Sequence, residues 1–294
     1  MTSLVRWQAL FLVCALLIAL PAPTFGQAET WECAPPASPQ DPAAPSPGAE
    51  ATPEAIAFPE EGGQLTVFAA ASLTDAFTRM ADDIAATHPD IEITFNFAGS
   101  QALVTQIAEG GAEADVLALA SPAQMTNAAE SGIAVDGSSI FVNNRLVVVV
   151  PADNPAGIID VTDLAADNVR FVLANPDVPA GNYARQSLCK VAEVSGMADV
   201  GGFAANIASE EDNVRSVLTK VELGEADAGI VYISDALTSG DAVRVIEIAS
   251  DQNVIATYPI AAISDNPLAA AFVGYVLSAE GQATLASFGF EPVD

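Results

Sequence analysis

An α/β protein, built from sheets with helices packed on their faces, is expected from three features of this 294-residue chain. From residue 65 onward, short β-branched runs alternate with amphipathic stretches, and repeated β–α units imply mostly parallel sheets covered by helices. One run, residues 145–151 (RLVVVVP), is apolar almost throughout, as expected of a strand buried inside a parallel sheet. The composition is 51% hydrophobic and 16% charged, enough for a large core and too apolar for a disordered chain.

The elements follow in order. Strand-like LTVFA (65–69) leads to a helix over 73–86, where Leu73, Ala76, Phe77, Met80 and Ile84 recur at helical spacing. IEITFNF (91–97), a helix near 101–109, DVLALA (115–120) and a helix near 123–131 come next. After the 145–151 strand, the pattern predicts strand 170–174, helix 183–194, helix 213–223 and strand 228–233. The apolar runs 243–249 and 254–263 then precede two C-terminal helices. No internal repeat appears.

The N-terminus reads as an export signal over residues 1–28. Arg6 is its only charge, the apolar run 9–20 follows, and Pro21 and Pro23 break it ahead of small residues. Twelve apolar residues are fewer than the ~20 that span a bilayer. An uncleaved signal-anchor is the alternative. Neither Cys14 nor Cys33 lies in a convincing lipoprotein cleavage box, so acylation is not expected. Residues 29–64 read as a Pro/Ala-rich disordered spacer; 8 of the chain's 19 prolines fall in 34–64, where only Ile56 and Phe58 have much to bury. Cys33 in the spacer and Cys189 in the body could pair in an oxidising compartment or remain free thiols.

The chain carries 38 acidic and 9 basic side chains; residues 65–294 keep 31 and 8 of them, net −23, so the acidity belongs to the body. Such a balance excludes a generic nucleic-acid binder, which needs clustered Lys and Arg, and opposes adsorption to anionic lipid. One histidine and three cysteines leave little for zinc binding or His-based catalysis.

In α/β folds, ligands sit where strands end and helices begin. Four such junctions contain small and hydroxylated residues. In VFAAASLTDAF, Ser72 begins a helix and Ser72-x-x-Asp75 fits a capping box. In NFAGSQALVTQI, Gly99 and Ser100 occupy the same position. In LANPDVPAGNYARQSL, Pro176 and Pro179 stiffen a loop, and Ala180 and Gly181 permit close approach to the backbone. In SEEDNVRSVL, acidic Glu210, Glu211 and Asp212 favour a helix start opened by Asn213 and Val214. Tyr232, ending strand GIVY, projects a phenol toward the same region. Apart from Arg215, whose direction the sequence does not give, no Lys or Arg is well placed there. Neutral donors and helix N-termini suit an anion.

In this order, VFAAASLTDAF, FAGSQALVTQIAEGGAEADVLALAS, NPDVPAGNYA, EDNVRSVL and GIVYISDA resemble the periplasmic molybdate-binding proteins of ABC importers, over about residues 65–290. The resemblance implies a two-lobed periplasmic-binding-protein fold, with lobe one at 65–145 plus 253–294, lobe two at 146–252 and crossings near 144–145 and 251–253. It implies an exported receptor, in the periplasm or on the outer face of the cytoplasmic membrane. That receptor is a monomer, not an enzyme, with no resident cofactor, and hands molybdate or tungstate to a membrane permease. The oxyanion would be held by the hydroxyls of Ser72 and Ser100, the backbone amides of Ala180 and Val214, and the phenol of Tyr232. Molybdenum enters only as the oxyanion. Many relatives have two or three consecutive serines where this chain reads Gly99, Ser100, Gln101, and Ala-Leu-Ala-Ser (118–121) replaces a more polar segment.

Donor-only lining fits fully deprotonated oxyanions, whereas phosphate keeps a proton near neutrality and needs an acceptor. A sulfate receptor on the same fold is the main alternative. A serine acyl-enzyme is a remote one, since Ser187 and Lys190 match S-x-x-K and Ser264, Asp265 and Asn266 match S-D-N, but no K-T-G follows. His88, in THPD, is read as a solvated turn residue rather than part of a triad. A ferric receptor using tyrosines lacks a paired-Tyr or His motif, and no motif suggests the Arg–acid pair of an amino-acid receptor.

Overall fold

In the computed structural model, the described residues are Trp31, Cys33 and 58–293. The expected signal (1–28) and most of the expected spacer lie outside them. In chain order, β1 (Gly63–Ala70), α1 (Thr74–Thr87), β2 (Ile91–Ala98), α2 (Ser100–Ala108), β3 (Val116–Ala118) and α3 (Pro122–Glu130) come first. β4 (Ser139–Pro151) leads to β5 (Phe171–Ala174), α4 (Pro179–Val194), α5 (Gly201–Asn206), β6 (Ile207–Glu211) and α6 (Val214–Glu222). Then follow β7 (Ala228–Tyr232), α7 (Ile233–Thr238), β8 (Val243–Glu247), β9 (Ile255–Ala262), α8 (Pro267–Leu277) and α9 (Ala279–Ser287).

Two sheets share one strand. The first has the order β2-β1-β3-β9-β4, and the second runs β4-β7-β5-β6 with β8 also on β4. Residues 139–145 of β4 pair with β9, and residues 146–151 pair with β7 and β8. The chain therefore passes from one lobe to the other inside a single strand, between Arg145 and Leu146, and returns between β8 and β9. Asn253, on that return, accepts from the Leu146 amide at 3.1 Å and donates to the Leu146 carbonyl at 2.8 Å. The two crossings are thus tied side by side.

The period-2 pattern of β1 explains how the first sheet is covered on both faces. Leu65, Val67 and Ala69 point to one side with Phe77, Met80 and Ile84 of α1 and Phe272 of α8. Phe68 and Leu117 point to the other, against Leu103 and Val104 of α2 and Met125 of α3.

The α/β architecture is as expected, but two expectations are corrected. The sheets are mixed: β1 pairs in parallel with β2 and β3, and β5 with β6 and β7, while every pairing of β4 and β9 is antiparallel. Val147, Val148, Val149 and Val150 are fully buried, so the apolar run reported burial on both faces rather than strand direction. In addition, α5, β6 and α7 have no counterpart in the predicted elements. Glu210 and Glu211 belong to β6, where Glu210 pairs with Arg185 and Glu211 with Lys220 at 2.6 Å, so they are not helix-start residues.

The described end of the spacer is held by the body. Phe58 is buried against the Tyr275 ring, and β1 starts at Gly63. Cys33 forms a disulfide with Cys189 of α4, and Trp31 packs over the Arg185 guanidinium, 5.7 Å from its ring centroid. The bridge links positions 156 residues apart. Cys189→Ser, or reduction of the wild type, is expected to remove about 2–4 kcal/mol of stability. Thermal scans with and without reductant should show Tm lower by roughly 5–10 °C.

Candidate functional site

Four helix starts and one strand end meet at a single cavity between the lobes. Its lining includes Ser72, Gly99, Ser100 and Ala120 from the first lobe and Ala180, Asn213, Val214 and Tyr232 from the second. All five predicted ligand residues (Ser72, Ser100, Ala180, Val214 and Tyr232) lie on it, and all five are buried. Its free volume is about 10 Å³. That is about the room one water needs, far below the roughly 300–1,000 Å³ of organic ligand pockets.

Each donor has a local reason to face inward. Pro179 takes the first position of α4, so Ala180 is second; Val214 is first in α6. Amides at these positions have no acceptor within their own helix. Asn213 caps α6 by accepting from the Ser216 amide at 3.0 Å. Ser100 opens α2, and its Oγ accepts from the Ala120 amide at 3.0 Å, so its proton is left to donate elsewhere. The buried Tyr232 hydroxyl has no hydrogen-bond partner among the described residues. Burial pushes its pKa well up, so it remains a protonated donor.

Ser72 does not form the expected capping box. It lies within a one-turn 3₁₀ segment, Ala71–Leu73, ahead of α1, and its Oγ is 2.9 Å from the Tyr258 hydroxyl. Asp75 instead forms an ion pair with Arg215. Arg215 also lies 2.6 Å from Asp235, which is fully buried and accepts from the Tyr232 amide. Arg215 is therefore held by two carboxylates and lines an adjoining groove rather than the cavity. Burial raises the Asp235 carboxyl to about 6, with Arg215 opposing the rise.

The lobes touch across the cleft. Gln101 donates to the Asp212 carbonyl and Gln124 to that of Asp177, each at 3.2 Å. A Cβ on Gly99 would lie 2.5 Å from the Asp212 carbonyl oxygen, and one on Gly181 2.1 Å from that of Asn175. Glycine is required at both places by close approach, not by backbone angle.

The other motifs lie elsewhere. Ser187 and Lys190 donate to the carbonyls of Gln252 and Asn253, and Ser264 donates to Asp115. None of them lines the cavity. His88 ends α1 and is half-buried against Phe58, more enclosed than a solvated turn. No cluster of three or more His, Cys, Asp or Glu suited to a metal occurs among the described residues. Sequence reasoning missed Ala120, which lines the cavity and donates to Ser100, and Asn144 and Tyr258, which stand behind Ser72 through contacts distant in sequence.

A small cavity closed between two lobes is the geometry of a solute receptor, and residues 65–291 match the family described as bacterial extracellular solute-binding protein. The chain belongs to that family. Among its relatives is the molybdate-binding protein ModA of Mycobacterium tuberculosis, 37% identical over 236 residues, covering 79% of this chain and 86% of the relative. The ModA of Haemophilus influenzae is 33% identical over 235 residues, with 77% and 89% covered. The solved periplasmic molybdate-binding protein of Azotobacter vinelandii aligns with a TM-score of 0.65 at 18% identity, covering 78% of this chain and all of that one, and shows the shared fold.

Two outcomes are expected. Arg215→Gln leaves Asp235 buried without its partner, at a cost of about 3–5 kcal/mol near pH 8. A buried acid with a raised pKa loses stability as pH rises through that value, so urea unfolding of the variant should show clear recovery at pH 5. Gly99→Ala should hold the lobes apart, visible as a larger radius of gyration in solution scattering, with little change in Tm.

Proposed function

We propose that this protein captures molybdate, and tungstate as well, outside the cytoplasm and delivers it to an ABC permease. The observation that carries the reading is a small cavity between the lobes, lined by Ser72, Ser100, Ala180, Val214 and Tyr232, with no cation on its walls. In this reading the two hydroxyls, two amides and one phenol are the ligand's partners. Lobe one (65–145 and 253–294) and lobe two (146–252) close on it, and the permease recognises the closed form. Neither a resident cofactor nor catalytic chemistry is required, and a monomer suffices. The relatives named above for molybdate support the choice of anion.

Hydrogen bonds to a charged partner contribute roughly 1.5–3 kcal/mol each, so five donors supply roughly 8–15 kcal/mol before closure and desolvation are subtracted. A roughly micromolar to nanomolar Kd is consistent with that. Phosphate would set its remaining proton against a donor. Sulfate matches in charge and must be refused by size, because its shorter bonds leave some donors unmet.

Calorimetry of the mature protein should show tight binding of molybdate and tungstate and none of phosphate or sulfate. Heat from sulfate with none from molybdate would convert the reading to a sulfate receptor. The double variant Ser72→Ala, Ser100→Ala should lose about 3–6 kcal/mol of binding and stay folded, with a lower Tm because the Ala120 amide and the Tyr258 hydroxyl lose their partners; unchanged affinity would place the site elsewhere.

A further inference from the structure

Behind Ser72 lies a chain of polar side chains whose hydrogen-bond directions can be worked out from one fixed end. The Asn144 Oδ1 accepts from the Arg145 amide at 3.0 Å. A backbone N–H only donates, so the amide orientation of Asn144 is settled and its Nδ2 points the other way. That Nδ2 donates to Ser234 Oγ at 2.8 Å and to the Tyr258 hydroxyl oxygen at 3.4 Å. Asn144, Ser234 and Tyr258 are all buried. The Tyr258 oxygen is thus an acceptor toward Asn144, which leaves its single proton available to Ser72 Oγ, 2.9 Å away, in a bond that either hydroxyl could donate. With Tyr258 as the donor, one of the two Ser72 lone pairs is occupied and the Ser72 proton is left for the cavity.

We infer that Tyr258, oriented by Asn144, is a positioning residue that donates to Ser72 Oγ, holds Ser72 as a hydrogen-bond donor to the cavity and so biases the first-lobe half of the cradle toward fully deprotonated oxyanions. The Ala120 amide does the same for Ser100. Ser72 sits where the chain turns from β1 toward α1, whereas Tyr258 lies in β9, 186 residues later. The strand that returns from the second lobe therefore sets the polarity of a hydroxyl in the first. The Tyr258 ring meets Phe141, Tyr232 and Phe290 edge-on, contacts that phenylalanine keeps. Its hydroxyl is the only atom that Tyr258→Phe removes. Without it, Ser72 can rotate and accept.

This inference rests on the oxyanion reading above and is tested by a double-mutant cycle in which both can be judged. Wild type, Tyr258→Phe, Ser72→Ala and the double variant are titrated with molybdate and with inorganic phosphate at pH 6 and pH 8. Tyr258→Phe is expected to weaken molybdate roughly tenfold when Ser72 is present and less than twofold when it is alanine. It should also narrow the molybdate-to-phosphate ratio, most at pH 6 where phosphate carries more protons. Equal losses in both backgrounds, or an unchanged ratio, overturn the relay while leaving the oxyanion reading intact. A wild type that binds none of the oxyanions overturns both. Asn144→Ala is the second variant if Tyr258→Phe does not fold. It frees the Tyr258 oxygen and should narrow the ratio in the same direction, and a ratio that stays put counts against the inference.

Discussion

A small anion enclosed away from water is tolerable only if each of its oxygens meets a hydrogen already aimed at it. The architecture supplies that condition before any side chain is considered. The first amides of a helix lack partners and carry fixed partial positive charge. Here the helices α2, α4 and α6 and the turn before α1 all begin at one point between two sheets. Side chains finish what the backbone starts: Ser100 and Tyr232 are left with protons that nothing else in the described protein accepts.

The charge distribution makes a neutral cradle more intelligible. A body of net −23 repels anions at long range, so it gives no electrostatic help to their approach. Discrimination then rests on hydrogen-bond polarity and fit at short range. Arg215 illustrates the separation. It stands beside the cavity, yet Asp75 and Asp235 hold it in a cross-cleft ion pair that joins α1 to α6 and to the start of α7. A cation placed inside the cavity would attract any anion; one committed to carboxylates contributes to how the lobes meet.

Several readings failed for one shared reason, that short-range pattern does not carry long-range pairing. The run Val147 to Val150 shows burial on both faces, and only the partner strands reveal that β4 is antiparallel and common to both sheets. Ser72 and Asp75 have capping-box spacing, but partners far along the chain, Tyr258 and Arg215, take both side chains. The acidic pair Glu210 and Glu211 looked like a helix start and is a strand edge matched to Arg185 and Lys220.

What the sequence determined by itself was local: the alternation of strands and helices, the Ser, Gly and Pro residues that open helices, and the scarcity of cations at those openings, Arg215 apart. These follow from propensity and periodicity within a dozen residues, which is why the site residues were legible as candidates. The tertiary structure alone decided that Ser72, Ser100, Ala180, Val214 and Tyr232 share one cavity, that Cys33 joins Cys189, and that Asn144 and Tyr258 stand behind Ser72. Those relations depend on strand order and register between segments from tens to nearly two hundred residues apart, and no local preference encodes which distant hydroxyl a buried proton will find.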